Sequence, residues 1–282
     1  MTGTRVLTAL VLIPIVLAVV LLTPTWVVAI ALAFIMILAL WEYFALGEAI
    51  GHRAYRLWTV FCALVLIFAQ VLETLRGRIG VDVGGRVLPA SASPESVFFL
   101  FVLGLTVLTL FTRRPLVESL PAAGISSSAL LLVAFPLSYA VRLHGIVPNG
   151  KWLLLFALAI TWAADTTAYF VGRAMGKHAL APHISPKKTW EGSIGGIVGS
   201  LIIGYVARYF LPTIPVGHLL GMAFVGNVAG QMGDLLESAY KRSAGVKDSG
   251  SLLPGHGGVL DRIDALILCF PVVWYYLVLV RV

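Results

Sequence analysis

The chain has 282 residues, of which 59% are hydrophobic and 12% charged, and its formal net charge is +7. A water-soluble domain carries roughly a quarter of its residues as charged side chains, so a soluble globular enzyme is excluded. The basic excess has no nucleic-acid-binding motif behind it and is read as membrane topology together with attraction to anionic headgroups.

Apolar runs recur at the length of roughly 20 residues that a spanning helix needs. The run from Val6 to Trp41 predicts two helices, because Thr23-Pro24-Thr25 is a natural break. Arg5 followed by an apolar stretch has the form of a secretory signal. No small-x-small cleavage site precedes the next polar residues, however, and a second apolar run follows at once, so the segment is read as a span. Further spans are expected at about 57 to 72, the shortest, and at about 96 to 112, 119 to 141, 152 to 172, 192 to 211, 216 to 240 and 259 to 280. The expected fold class is an all-α, polytopic integral membrane protein with about nine transmembrane helices.

Residues 1–140 hold five helices with few ionisable groups, plus a Gly-, Pro- and Ser-rich connection from Glu73 to Glu95. They read as a scaffold. Their one internal carboxylate, Glu42, stands beside Trp41 and Tyr43 near a helix end, where interfacial anchoring is a sufficient explanation. Residues 141–282, with four helices, carry acids at membrane depth and basic loops, and read as the catalytic half.

Positive charge resists translocation. With nine spans and an inner N-terminus, 13 of the 20 Lys and Arg residues fall on the cytoplasmic side, including Arg53, Arg56, Arg113, Arg114, Lys187, Lys188, Lys241, Arg242, Lys247 and Arg262. Cys62 and Cys269 lie far apart in apolar runs without metal-ligand spacing. Gly192, Gly196, Ser200 and Gly204 recur every four residues, as do Gly226 and Gly230, which predicts close helix packing in lipid. The same faces are compatible with a homodimer.

Asp165 interrupts the sixth span. A carboxylate there costs about 3 kcal/mol or more unless partnered or hydrated, so intramembrane acids are functional candidates. Asp234 and Glu237 are three apart and share a helix face, as do Asp261 and Asp264 in the first turn of the last span. Capping explains one aspartate at a helix start, but not two beside a second acid pair. Acids converging at one depth call for cations among them, and a hard divalent cation such as Mg²⁺ characteristically uses one or two carboxylates plus substrate phosphates. Lys187, Lys188, Lys241, Arg242, Lys247 and Arg262 lie on the same side. The glycine-rich stretch KRSAGVKDSGSLLPGHGG, 241 to 258, can add backbone N–H donors. Acids that hold a metal, ringed by bases, suit phosphoryl or nucleotidyl transfer. His256 could be an acid or base, a phosphate ligand or a turn residue. His178 and His183 are read as surface or phosphate-contacting residues. An ion-coupled transporter would need acids spread through the membrane depth and an acidic outer entrance, which the sequence does not supply.

The stretch SAYKRSAGVKDSGSLLPGHGGVLDRID, 238 to 264, resembles the signature of the phosphatidate cytidylyltransferases, or CDP-diacylglycerol synthases. The resemblance extends through ADTTAYFVGRAMGKHALAPHISPKKTWEGSIGG, 164 to 196, and GDLLESAYKR, 233 to 242, with departures at Thr167 and Tyr240. It implies the reaction of CTP with phosphatidic acid to give CDP-diacylglycerol and pyrophosphate; the placement of Lys and Arg sets the expected site on the cytoplasmic side, and a bacterial inner membrane is the expected location. Under it, Asp234, Asp261 and Asp264 are expected to hold Mg²⁺, with a second cation such as K⁺ sharing the site. Lys187, Lys188, Lys241, Arg242 and Lys247 are expected to contact phosphates, and Asp165 to shape the cavity or position the nucleotide. His256, Gly257 and Gly258 are expected to form a phosphate-facing turn, and Arg262 to pair with a neighbouring aspartate or bind substrate. A CTP-dependent lipid kinase or an ether-lipid CDP synthase would share the metal and nucleotide but differ in product or acceptor.

Overall fold

Pro24 divides the first apolar run as its missing N–H requires. In the computed structural model, which describes residues 2–79, 93–252 and 257–281, α1 (Thr2–Leu22) ends just before it, and α2 (Thr25–Ala49) starts from it as N-cap. Next come α3 (Arg56–Ile79) and α4 (Pro94–Leu110). The third helix is not the shortest, as expected, but has 24 residues against 17 for α4. It continues past the apolar run because Glu73-Thr74-Leu75-Arg76 contains no helix breaker. A 3₁₀ turn, Leu116–Glu118, leads into α5 (Ser119–Ala129), a π-turn at Leu130–Ala134 and α6 (Phe135–Gly145). The π-turn ends two residues before Pro136, which cannot donate to the helical ladder. The chain then forms α7 (Gly150–Met175), β1 (Ala179–Ala181), β2 (Ser185–Thr189), α8 (Trp190–Val206), α9 (Val216–Ser243) and α10 (Leu260–Val280).

Among the described residues, seven helical segments are long and apolar enough to cross a bilayer: Thr25–Ala49, Arg56–Leu75, Leu116–Gly145, Gly150–Met175, Trp190–Tyr209, Val216–Ser243 and Leu260–Val280. Where the other two spans are expected, the stretch Leu10–Leu22 of α1 and the 17-residue α4 (Pro94–Leu110) are apolar helix. Large apolar side chains such as Trp26, Phe34, Phe68 and Ile202 are exposed, as lipid-facing residues would be. Met36, Leu40, Phe44, Leu66, Ile160 and Met222 are fully buried.

Lipid tails are as apolar as leucine, so association between spans depends on close packing and hydrogen bonds rather than on escape from water. The small-residue faces supply both. Methyl groups at Gly192 and Gly196 would meet the backbone oxygens of Ala168 and Ala164 at 2.9 and 3.3 Å, and Ser200 Oγ donates to Ile160 O at 3.2 Å. Three successive turns of α8 therefore lie on three of α7, running antiparallel. The Thr167 departure fits this packing, because its side chain lies against Gly199 and its hydroxyl bonds back to Ala163 O at 2.7 Å. Gly226 and Gly230 bring α9 against Val273 and Ala265 of α10.

The all-α expectation needs one amendment, the antiparallel hairpin β1–β2, with Ala179 opposite Thr189 and Ala181 opposite Ser185. Pro182 and Pro186 bar a helix here. Glu191, in the first turn of α8, secures its base by accepting from the N–H groups of Lys177 and His178 at 3.2 and 3.3 Å and from His178 Nδ1 at 2.6 Å. His178 is thereby committed to the hairpin, and His183 is exposed at its turn. Thr189 caps α8 by accepting from Gly192 N at 3.1 Å.

Candidate active site

The site is built where α9 ends and α10 begins. Gly233 lets the two helices approach until a Cβ there would lie 2.5 Å from Asp264 O, which sets Asp234 of α9 beside Asp264 of α10. Asp264 is within electrostatic reach of Asp234, Glu237 and Asp165, and its Oδ1 accepts from Ala265 N at 2.7 Å. Asp165, exposed on α7, interacts in turn with Asp234, Lys188 and Arg262. Three helices thus contribute the acids that lie at the same end of the bundle.

Cations stand among them. Lys241 Nζ lies between two carboxylates, donating to Asp261 Oδ1 at 2.5 Å and pairing with Glu237 Oε2 one helical turn earlier. The Lys241 and Asp261 side chains are only 10% and 6% exposed, so the pair is buried and shielded from solvent screening. On β2, successive side chains point to opposite faces. Lys188 turns inward and its Nζ lies 2.5 Å from Asp234 Oδ2, an ion pair without an aligned hydrogen bond, while Lys187 is exposed.

Asp261 has a second task. Its Oδ2 accepts from Ser249 N at 3.0 Å and Gly258 N at 2.8 Å, closing the base of the glycine-rich loop. Gly257 has φ of +80°, which disfavours any side chain, and a Cβ on Gly258 would collide with Ser249 Oγ and the carboxylate of Glu42. Arg242 joins this loop to the hairpin, with Nε donating to Ile184 O at 3.2 Å and Nη1 to Val246 O at 3.1 Å. Lys247 and Arg262 are exposed. His256 lies outside the described residues.

Asp165, Asp234, Asp264 and Lys188 are therefore brought together, and Asp261 and Lys241 adjoin them through Glu237. Asp234, Asp261 and Asp264 do not make a ready three-carboxylate centre: among the described residues, no group of three or more His, Cys, Asp or Glu side chains is arranged to hold a metal ion. The donor chemistry still suits a hard cation. All the groups are carboxylate oxygens, and Glu237 Oε1 is buried without a hydrogen-bond partner, a cost that a cation would relieve.

Glu42 exceeds the interfacial role expected for it. It is buried, and its carboxylate accepts from Val259 N, Leu260 N and Ser249 Oγ. The available signal was its position as the one internal acid of the apolar first half. Ser249, which meets both Glu42 and Asp261, carried no comparable signal.

Comparison with known proteins identifies the family. The family model described as the cytidylyltransferase family matches residues 3–280. A Haemophilus influenzae protein named phosphatidate cytidylyltransferase is 34% identical over 293 residues, covering 96% of this chain and 97% of the relative. Bacillus subtilis and Staphylococcus haemolyticus proteins of the same name are 39% identical over 178 residues and 44% over 146. These matches cover 61% and 51% of this chain and 66% and 54% of the respective relatives. With a family match over nearly the whole chain and a full-length relative, this chain belongs to the cytidylyltransferase family.

Proposed function

We propose that this chain is an Mg²⁺-dependent phosphatidate cytidylyltransferase, which joins CMP from CTP to phosphatidate and releases pyrophosphate. The observation that carries this reading is the interleaving of Lys188 and Lys241 with Asp234, Glu237 and Asp261 at the meeting of α9 and α10. Family membership and the relatives' names support the acceptor and nucleotide.

The reaction needs little covalent help. A phosphatidate phosphate oxygen attacks the α-phosphorus of CTP, and the bond to the pyrophosphate oxygen breaks. Phosphatidate is already anionic, so no protein base is required; the demand is to bring anions together and accept charge on the leaving group. Lys188 and Lys241 supply positive charge from fixed positions, and the exposed Lys187, Lys247, Arg242 and Arg262 extend it toward water. Asp165, Asp234, Glu237, Asp261 and Asp264 outnumber the cations that lie among them, Lys188, Lys241 and Arg262, and this excess of acids favours a bound divalent cation. Asp234, Asp261 and Asp264 would hold that cation, and Glu237 Oε1 offers a further oxygen. When bound, it would neutralise charge on the phosphate oxygens. A second cation such as K⁺ would fit among the same acids.

In this reading nine spans place the site at the cytoplasmic face of a bacterial inner membrane. There a bilayer headgroup and a soluble nucleotide can meet; the small-residue faces are packed within the chain, so a homodimer would use other surfaces. Purified protein incubated with labelled CTP, phosphatidate and Mg²⁺ should form labelled CDP-diacylglycerol and pyrophosphate in equal amounts. Labelled CDP as the product, or no lipid product with Mg²⁺ present, would reject the reading.

A further inference from the structure

Helix α10 begins without a cap of its own. Val259 is its N-cap residue and offers no side-chain bond, although the first N–H groups of any helix lack intrahelical partners. Here the partners come from elsewhere. Gly258 N donates to Asp261 Oδ2, whereas Val259 N and Leu260 N donate to Glu42 Oε1 and Oε2 at 2.9 and 2.8 Å. Glu42 is 217 and 218 residues away, on α2. Both oxygens act only as acceptors, the bonding of a carboxylate, and the start of a helix is where negative charge is favoured.

Ser249 completes the connection. Its hydroxyl donates to Glu42 Oε2 at 2.9 Å and its backbone N–H to Asp261 Oδ2 at 3.0 Å, so one residue is held by carboxylates from both halves of the chain. Asp261 in turn receives Lys241. Among the described residues no cationic side chain forms an ion pair with Glu42. Its negative charge is met by helix N–H groups and a hydroxyl, which fix direction more strictly than a mobile lysine would.

We infer that Glu42 is a positioning residue of the transfer site: it holds the start of α10 and Ser249 from the N-terminal half, and so fixes where Asp261 and Lys241 stand. The link to transfer rests on the proposed function; the hold on α10 does not. Outer partners of this kind typically account for about 10- to 100-fold in activity.

The full chain should be purified as the parent and as Glu42→Gln and Glu42→Asp. Each is assayed for kcat and for KM of CTP and phosphatidate, and by amide hydrogen exchange over residues 249–262. Glu42→Gln must turn an NH₂ group toward donors that need an acceptor. It should lower kcat by about 10- to 100-fold in protein that remains folded, and speed exchange at Val259 and Leu260. Glu42→Asp keeps the charge one methylene shorter and should recover part of both losses. A folded Glu42→Gln protein with kcat and both KM values within about twofold of the parent, or with unchanged exchange at Val259 and Leu260, overturns the inference. Equal losses in Gln and Asp variants would also overturn it, since only bulk packing would then matter. An inactive parent would reject the proposed function, and the exchange comparison would still decide whether Glu42 holds α10.

Discussion

Lys188 Nζ lies 2.5 Å from Asp234 Oδ2, which joins the hairpin to the acidic end of α9 across a separation that local chain geometry does not impose. Lys187 precedes it on the same strand and faces outward. Two adjacent lysines with identical chemistry thus have different surroundings. Lys188→Met should lower activity by about 100-fold or more, the scale of losing a preorganised charge at a reacting centre. Lys187→Met should cost about tenfold or less, mainly through KM, as for an exposed contact. Steady-state kinetics of the two purified variants check this, and equal losses would contradict it.

Asp261→Asn removes the charge beside Lys241 and weakens the bonds that close the loop base. Breaking a buried ion pair costs about 3–5 kcal/mol when the remaining charge is left alone. Glu237 remains on Lys241, so a loss near or below the lower end is expected. Denaturation in detergent should show this destabilisation together with a loss of activity greater than that of Lys187→Met.

The crowded site at Gly258 gives a test of loop geometry without a charge change. A methyl group there would press on Ser249 and Glu42, and overpacking of this kind typically costs about 1–3 kcal/mol. Gly258→Ala should therefore lower the thermal midpoint and the activity together. Gly217→Ala, where a Cβ would meet nothing within 4 Å, should leave stability within about 0.5 kcal/mol of the parent.

Removal of divalent cations by chelation should abolish transfer, and added Mg²⁺ should restore it. Asp264 lies among Asp234, Glu237 and Asp165, so Asp264→Asn should raise the Mg²⁺ concentration for half-maximal rate by about 10-fold or more. A rate unaffected by exhaustive chelation would remove the metal from the mechanism.

Much of this molecule follows from local sequence. Pro24 divides the first apolar run, the spacing of Gly192, Gly196 and Ser200 identifies a packing face, and the three-residue spacing of Asp261 and Asp264 puts both on one side of a helix. These features depend on properties that a short segment carries by itself: helical period, the missing proline N–H, and side-chain size. The cytidylyltransferase signature likewise lies within continuous stretches.

Tertiary structure decided which group meets which. Lys188 rather than Lys187 reaches Asp234 because a hairpin replaces the expected loop. Asp261 is occupied by Lys241 and two N–H groups, so it is a staple as well as a candidate ligand. Glu42 reaches the start of α10, while the periodicity of its own helix indicated only an acid near one end. Such pairings are long-range, and no local pattern encodes them; they form when small-residue faces let helices approach closely enough for a buried carboxylate to find its donors.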